Sequence, residues 1–248
     1  MNSAFYISFF AGISTVLGSI FLLFKFKSEN LLIGRALAFT SGVMISVSLF
    51  DLIPTAFSEL LDILYIFPSI IITAIFIVMG VIFSTFSNKM LSNNDYVNKD
   101  RLYKTGIFSM ITIILHNIPE GIATFLTATT NIKLGISLAI AIALHNIPEG
   151  ISVSIPIYYS TRSKLKAIVY TFVAGISEFF GAIIAFSFFT SFKVNLFLTF
   201  LYLIIAGIML SLVIEELLPT SFGYLKNTSV VMLFIIGFCF MMIVNVLL

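Results

Sequence analysis

Eight apolar runs, each long enough to cross a hydrocarbon core as a helix, follow one another along the chain with little between them. They cover roughly residues 4–24, 34–56, 63–86, 105–129, 132–158, 165–190, 196–218 and 228–247. About twenty apolar residues in helical conformation match the thickness of a bilayer core. Composition agrees: the chain is 60% hydrophobic and 10% charged, with a mean hydropathy of +1.15. A soluble domain is nearer 45–50% apolar and about 25% charged. The expected fold class is therefore all-α, a multi-pass membrane protein whose residues 1–248 form a single transmembrane domain. The first run has no basic residue before it and no small-residue cleavage site, so it reads as a membrane helix and not as a removed signal peptide.

A net charge of +2 carries no message about nucleic acid, because the basic residues are confined to short linkers between the runs. Their placement instead sets orientation. Lys25, Lys27 and Arg35 flank the first linker, Lys89, Lys99, Arg101 and Lys104 the third, Arg162, Lys164 and Lys166 the fifth, and Lys226 the seventh. That is eleven on one side against two, Lys133 and Lys193, on the other. The basic side is expected to face the cytoplasm, with both termini outside; in a bacterium the membrane would be the cytoplasmic one. The polar stretch from Ser87 to Lys104 has too little apolar surface for a core and is predicted to be a flexible cytoplasmic loop. Cys239 is the only cysteine, so no disulfide can form within the chain and a thiolate metal site has no support.

The outer runs repeat. Ala11-Gly12-Ile13-Ser14, with Gly18 beyond it, matches Ala174-Gly175-Ile176-Ser177 with Gly181, an offset of 163. Ser41-Gly42-Val43-Met44 through Asp51-Leu52-Ile53-Pro54 matches Ala206-Gly207-Ile208-Met209 through Glu216-Leu217-Leu218-Pro219, an offset of 165. Runs 1–3 and 6–8 therefore read as two copies of one unit. Equivalent runs, such as 1 and 6, are five apart, an odd number, so the copies enter the membrane in opposite directions. Inverted repeats around interrupted helices describe secondary transporters. Small residues such as Gly12 and Gly175 are also ordinary helix-packing contacts, but packing does not account for the matched acids.

Between the repeats lie the fourth and fifth runs, and each contains the same six residues. His116-Asn117-Ile118-Pro119-Glu120-Gly121 recurs as His145-Asn146-Ile147-Pro148-Glu149-Gly150. On a helix, positions i and i+4 share a face, so each copy offers an imidazole and a carboxylate to the same neighbour. Those are ligands that Zn²⁺ and similar divalent ions accept. Each proline removes its own N–H and crowds the carbonyl four residues back, at Leu115 and Leu144, so both helices are expected to be broken there. A pair of merely kinked helices would explain one copy; two copies point to a metal site.

Acids inside the runs support that reading. An ionised side chain at mid-membrane costs about 2.5–3.5 kcal/mol on insertion scales, yet Glu120, Glu149 and Glu178 fall well inside the runs and Asp51 and Glu216 nearer their ends. No lysine or arginine within a run is expected to pair with them, which leaves protons or bound cations as partners. Glu178 stands where the first repeat has Thr15. Asp51 and Glu216 fit either ordinary helix-end acids or stations along an ion path. Glu215 points about 100° away from Glu216 and receives no role. Met44 could offer a thioether to a soft cation, although a membrane methionine more often packs.

The doubled HNIPEG, eight runs, outward termini and a cytoplasmic loop after the third run resemble the ZIP (Zrt/Irt-like) family of divalent metal transporters, above all its bacterial zinc-uptake and GufA-like branches. The resemblance covers essentially the whole chain. It implies a 3+2+3 helix arrangement and movement of zinc, often also iron, manganese or cadmium, towards the cytoplasm. Matched position by position, it implies a first metal site at His116, Glu120, His145 and Glu149. It implies a second, adjacent site at Asn117, Asn146 and Glu178, with Glu120 and Glu149 bridging. Met44 falls on the approach to the site, and Asp51 and Glu216 on positions lining the pathway. Asn146 stands where some members have aspartate, which leaves the second site less negative. The cytoplasmic loop has no histidine, unlike the metal-sensing clusters of many relatives.

Two other classes are weaker. An intramembrane zinc hydrolase needs a metal with an open position plus a general base, and the chain lacks His-Glu-x-x-His and a Ser/His/Asp set. A metal-stabilised scaffold rarely uses so many uncompensated membrane acids. The expected partners are divalent metal ions as transported substrate and the lipid bilayer, with a homodimer allowed. No catalytic cofactor is expected.

Overall fold

A computed structural model describes residues 2–23, 28–92, 99–188 and 194–247. Among the described residues every regular element is helical. Helix α1 (Asn2–Leu17) tightens into a 3-10 turn at Gly18–Leu23, and α2 (Glu29–Val47) leads through Ser48–Leu52 into α3 (Ile53–Leu61). Helices α4 (Ile66–Ser92), α5 (Lys99–Thr130), α6 (Ile132–Thr161) and α7 (Lys164–Phe188) follow. Then α8 (Val194–Leu212) leads through Val213–Leu217 into α9 (Leu218–Tyr224), and α10 (Asn227–Leu247) ends the described chain. Eight of the resulting helical stretches are long and apolar enough to cross a membrane. In the polar stretch 87–104, helix continues to Ser92 and resumes at Lys99. Lys25, Lys27 and Lys193 lie outside the described residues.

The expected breaks at the histidine motifs are corrected: α5 runs through Pro119 and α6 through Pro148 without interruption. A proline removes one helical hydrogen bond, and the burial of the turns around Pro119 and Pro148 holds the remaining bonds in place. The irregular turns lie elsewhere. Ser48–Leu52 and Val213–Leu217 are π-helical, with the Ile53 N–H bonded to Ser48 O and the Leu218 N–H to Val213 O. Each wide turn is followed within two residues by a proline, Pro54 or Pro219, that has no N–H to give. Each also carries the acids of the repeat, Asp51 in one and Glu215 and Glu216 in the other.

The ends of α6 are built locally. Asn131 Oδ1 accepts from the N–H groups of Lys133 and Leu134 at 3.0 and 3.3 Å, so a single capping residue turns the chain from α5 into α6. Arg162 closes the other end at φ 56°, its N–H bonded to Tyr158 O. Its guanidinium reaches Glu29 Oε1 at 2.7 Å, tying the fifth linker to the start of α2.

Contacts between helices repeat with the sequence. The third long helix of each unit packs on the second of the other, α4 on α8 and α10 on α2. Helices α1 and α7 cross where Gly12 and Gly175 face one another, each so close to the other's carbonyl oxygen that a Cβ would collide with it. They also flank the central pair. A Cβ on Gly150 would strike Thr15 O of α1, and one on Gly121 would strike Glu178 O of α7, positions related by the same offset of 163. Missing side chains thus bring backbones to contact distance around α5 and α6.

Candidate metal site

The central helices put their motifs face to face. Glu120 Oε1 lies 3.0 Å from His116 Nε2, one turn earlier on α5, and 3.1 Å from His145 Nε2 on α6. Glu149 Oε1 approaches His116 Nε2 at 3.6 Å. The two imidazole centroids are 6.0 Å apart. One ligand atom from each of His116, Glu120 and His145 fits within a mutual distance of 4.8 Å, the scale of a shared ion. All four side chains are buried.

Beside this group, both asparagines are anchored by their amide nitrogens. Asn117 Nδ2 donates to Ala174 O of α7, and Asn146 Nδ2 donates to Ala11 O of α1, both at 3.1 Å. The acceptors are again equivalent positions of the repeat. Asn146 Nδ2 also reaches Glu178 Oε2 at 3.1 Å, a contact with no acid to match it at Thr15. Both amide oxygens are left pointing away from their anchors without a hydrogen bond.

They are not alone. Glu120 Oε2, both carboxylate oxygens of Glu149, Glu178 Oε1 and the two asparagine oxygens are buried and make no hydrogen bond. An unsatisfied buried polar group costs about 1–3 kcal/mol, more when charged, so burying these oxygens is expensive unless a cation or a proton meets them. Nitrogen and carboxylate oxygen without thiolate suit Zn²⁺ and its first-row neighbours. The donor set fits a divalent ion.

Asp51 lies close enough to His145, His116 and Glu120 to interact with them electrostatically. Met44 is buried in the main core, one turn along α2 from Thr40, whose hydroxyl donates to Pro148 O at 3.0 Å. A cavity of about 210 Å³ opens among Thr55, Glu59, Ala123, Thr127, Thr199 and Tyr202. Its α5 wall, Ala123 and Thr127, begins one turn beyond Glu120. Sequence reasoning gave Glu59 and Tyr202 no role, because neither shares a motif with the histidines.

Glu216 belongs to a different cluster. Its Oε1 accepts from Asn88 Nδ2 at 2.9 Å and lies 3.7 Å from Lys104 Nζ, while Oε2 accepts from Thr105 at 3.2 Å. Asn88 also reaches Glu215, which Thr85 and Ser211 hold through hydroxyl bonds of 2.5 and 3.1 Å. The expectation that no basic residue pairs with the membrane acids is thus corrected for Glu216: Lys104 sits on the first turns of α5, and the long side chain reaches across to α9's approach. Lys104 precedes His116 by twelve residues, about 120° around the helix, so the histidine motif gave no signal of this pairing.

Similarity to known proteins runs along nearly the whole chain. A model of the family described as ZIP zinc transporter matches residues 87–245. A protein named zinc transporter ZupT from Lysinibacillus sphaericus is 37% identical over 237 residues, spanning 89% of this chain and 88% of the relative. Proteins of the same name from Campylobacter jejuni and Clostridium perfringens are 35% and 34% identical, covering 90% and 89% of this chain and 88% and 87% of the relatives. The buried imidazoles and carboxylates between α5 and α6, the eight membrane-length helices and these matches agree: the chain belongs to the ZIP family of divalent metal transporters.

Proposed function

We propose that the protein carries Zn²⁺ across the cytoplasmic membrane into the cell, with both termini outside and the linkers rich in lysine and arginine inside. In this reading His116, Glu120, His145 and Glu149 hold the ion first, and Asn117, Asn146 and Glu178 offer a second, adjacent position bridged by the shared glutamates. Asp51 and Met44 lie on the way in, and Glu216 on the way out. The whole chain works as one transmembrane domain, with the two three-helix units packed around α5 and α6. The observation that carries this reading is the buried group of His116, Glu120 and His145, whose ligand atoms lie within 4.8 Å of one another, together with carboxylate and amide oxygens of the same motifs that are buried and unbonded. Such a set is costly when empty and favourable around a divalent cation. Ligands of mixed type without thiolate also release an ion more readily than a closed structural site would.

Purified protein in proteoliposomes tests this directly, with Zn²⁺, Fe²⁺, Mn²⁺ and Cd²⁺ offered in parallel. Saturable uptake is expected for zinc and lost in His116→Ala and Glu149→Ala. Folded wild-type protein that binds zinc but moves no ion under several pH gradients would overturn the reading.

A further inference from the structure

Helix α5 continues its polar face well past the metal site. Thr105, Ser109, Thr112 and His116 follow at intervals of four, three and four residues, which places them on one side of the helix. None is more than 2% exposed. Between Lys104 and the histidine this line crosses what would otherwise be solid apolar packing, with Phe108 and Ile113 on the flanking faces.

Hydroxyls inside membrane helices usually satisfy themselves by bonding back to the preceding turn, as Ser41, Ser48 and Thr171 do in this protein. Ser109 does not. Its Oγ is buried and has no hydrogen-bond partner. Thr105, one turn away, turns its hydroxyl outward to Glu216 Oε2. Close helix packing alone would be served by glycine, and Gly106 already brings α5 against Ile157. Other buried hydroxyls, those of Ser8, Thr15, Ser46, Ser84 and Thr124 among them, also lack a partner, and what sets Ser109 apart is its place on the line from His116 towards Thr105.

Eleven residues separate His116 from Thr105, a rise of about 16 Å along the helix, or roughly half of a hydrocarbon core about 30 Å thick. A divalent ion cannot cross that distance bare. It needs oxygen donors at intervals it can bridge, and hydroxyls one turn apart are about 5 Å from one another along the axis. Each can accept from water or present a lone pair to a cation without charge of its own, so each binds weakly enough to let go. At the far end Glu216 is already paired with a cation, the Lys104 ammonium at 3.7 Å.

We propose that the ion leaves the buried site along this line, with Thr112, Ser109 and Thr105 as successive oxygen donors, and is received at Glu216 in exchange for Lys104. The inference rests on the transport reading above, and extends it to residues outside the ligand set. Lys104 is the resident charge of an empty route, and its partly exposed side chain has room to swing away when a divalent ion arrives.

The test uses the full chain in proteoliposomes. Ser109→Val removes the donor and has the same shape as Ser109→Thr, so the two variants differ only in the hydroxyl; zinc uptake is expected to fall about tenfold in Ser109→Val, while equilibrium zinc binding in detergent stays at the wild-type value. Ser109→Thr, which keeps the hydroxyl, is expected to restore transport. Independently, Ser109→Cys in a Cys239→Ala background is expected to react with a membrane-impermeant thiosulfonate added on the Lys104 side, and Zn²⁺ to slow that reaction. Met110→Cys, off the line, serves as the unreactive control. Wild-type uptake by Ser109→Val together with an inert Cys at 109 would overturn the proposal. Uptake by the wild type in the same vesicles reports on the transport reading separately, and labelling reports on the line whether or not ions move.

Discussion

Asn146 bonds Glu178 through its amide nitrogen at 3.1 Å, so a neutral donor sits where a second acid would meet the first. This contact sets the charge of the site's second half. Asn146→Asp replaces the bond by two carboxylates at contact distance, which repel unless a cation lies between them. The variant is expected to melt below the wild type without metal and to gain more on adding Zn²⁺. Thermal unfolding with and without zinc checks this, and an equal zinc-induced shift in both proteins would count against it.

Glu120 is shared by both histidines through one oxygen, at 3.0 and 3.1 Å. Glu120→Gln keeps the shape and removes the charge. Changes to groups that merely support a ligand already cost about 10–100-fold in affinity, and loss of the central carboxylate is expected to cost at least that. Isothermal titration with Zn²⁺ gives the number directly.

Protons compete with the metal for the same atoms. A bound imidazole must be neutral and a bound carboxylate ionised, so binding releases protons and acid opposes it. With histidine titrating near pH 6.5 in the absence of perturbation, apparent zinc affinity is expected to weaken as the pH falls from neutrality towards 5.5. Zinc titrations across that range in a non-chelating buffer measure the slope; a flat profile would mean that the imidazoles are not ligands.

Gly121 lies against the backbone of α7, with no room for a Cβ beside Glu178 O. Gly121→Ala must push α7 aside and carry Glu178 with it. Overpacking of this kind costs about 1–3 kcal/mol, and zinc affinity should fall along with stability. Gly223, whose Cβ would meet nothing within 4 Å, is the control: Gly223→Ala on α9 is expected to be neutral or slightly stabilising.

What could be read from the sequence was what depends on local chemistry. Span length and apolarity follow from composition, so eight membrane-length helices were legible, and the paired histidine motifs announced their own ligands through i, i+4 spacing. The repeats of Ala11–Ser14 and Ala174–Ser177 were legible as well, although not that Asn146 and Asn117 would use those very carbonyls as anchors. Proline chemistry misled at Pro119 and Pro148, because surrounding helices keep α5 and α6 continuous where an isolated helix would give way. The wide turns at Ser48–Leu52 and Val213–Leu217 were invisible, since a shift from i→i+4 to i→i+5 bonding is decided by tertiary packing as much as by the proline that follows. Lys104 looked like a loop residue at a span edge, and only the approach of α5 to Glu216 gives it a partner.

The single-residue turn at Asn131 has a mechanical meaning. With one residue between them, α5 and α6 are tied side by side at this end, and the short link keeps the two motifs at matched depth: His116 lies fifteen residues before Asn131 and His145 fourteen after it. A longer linker would let the helices slip past one another along their axes; this one holds the register in which Glu120 and His145 meet across the pair.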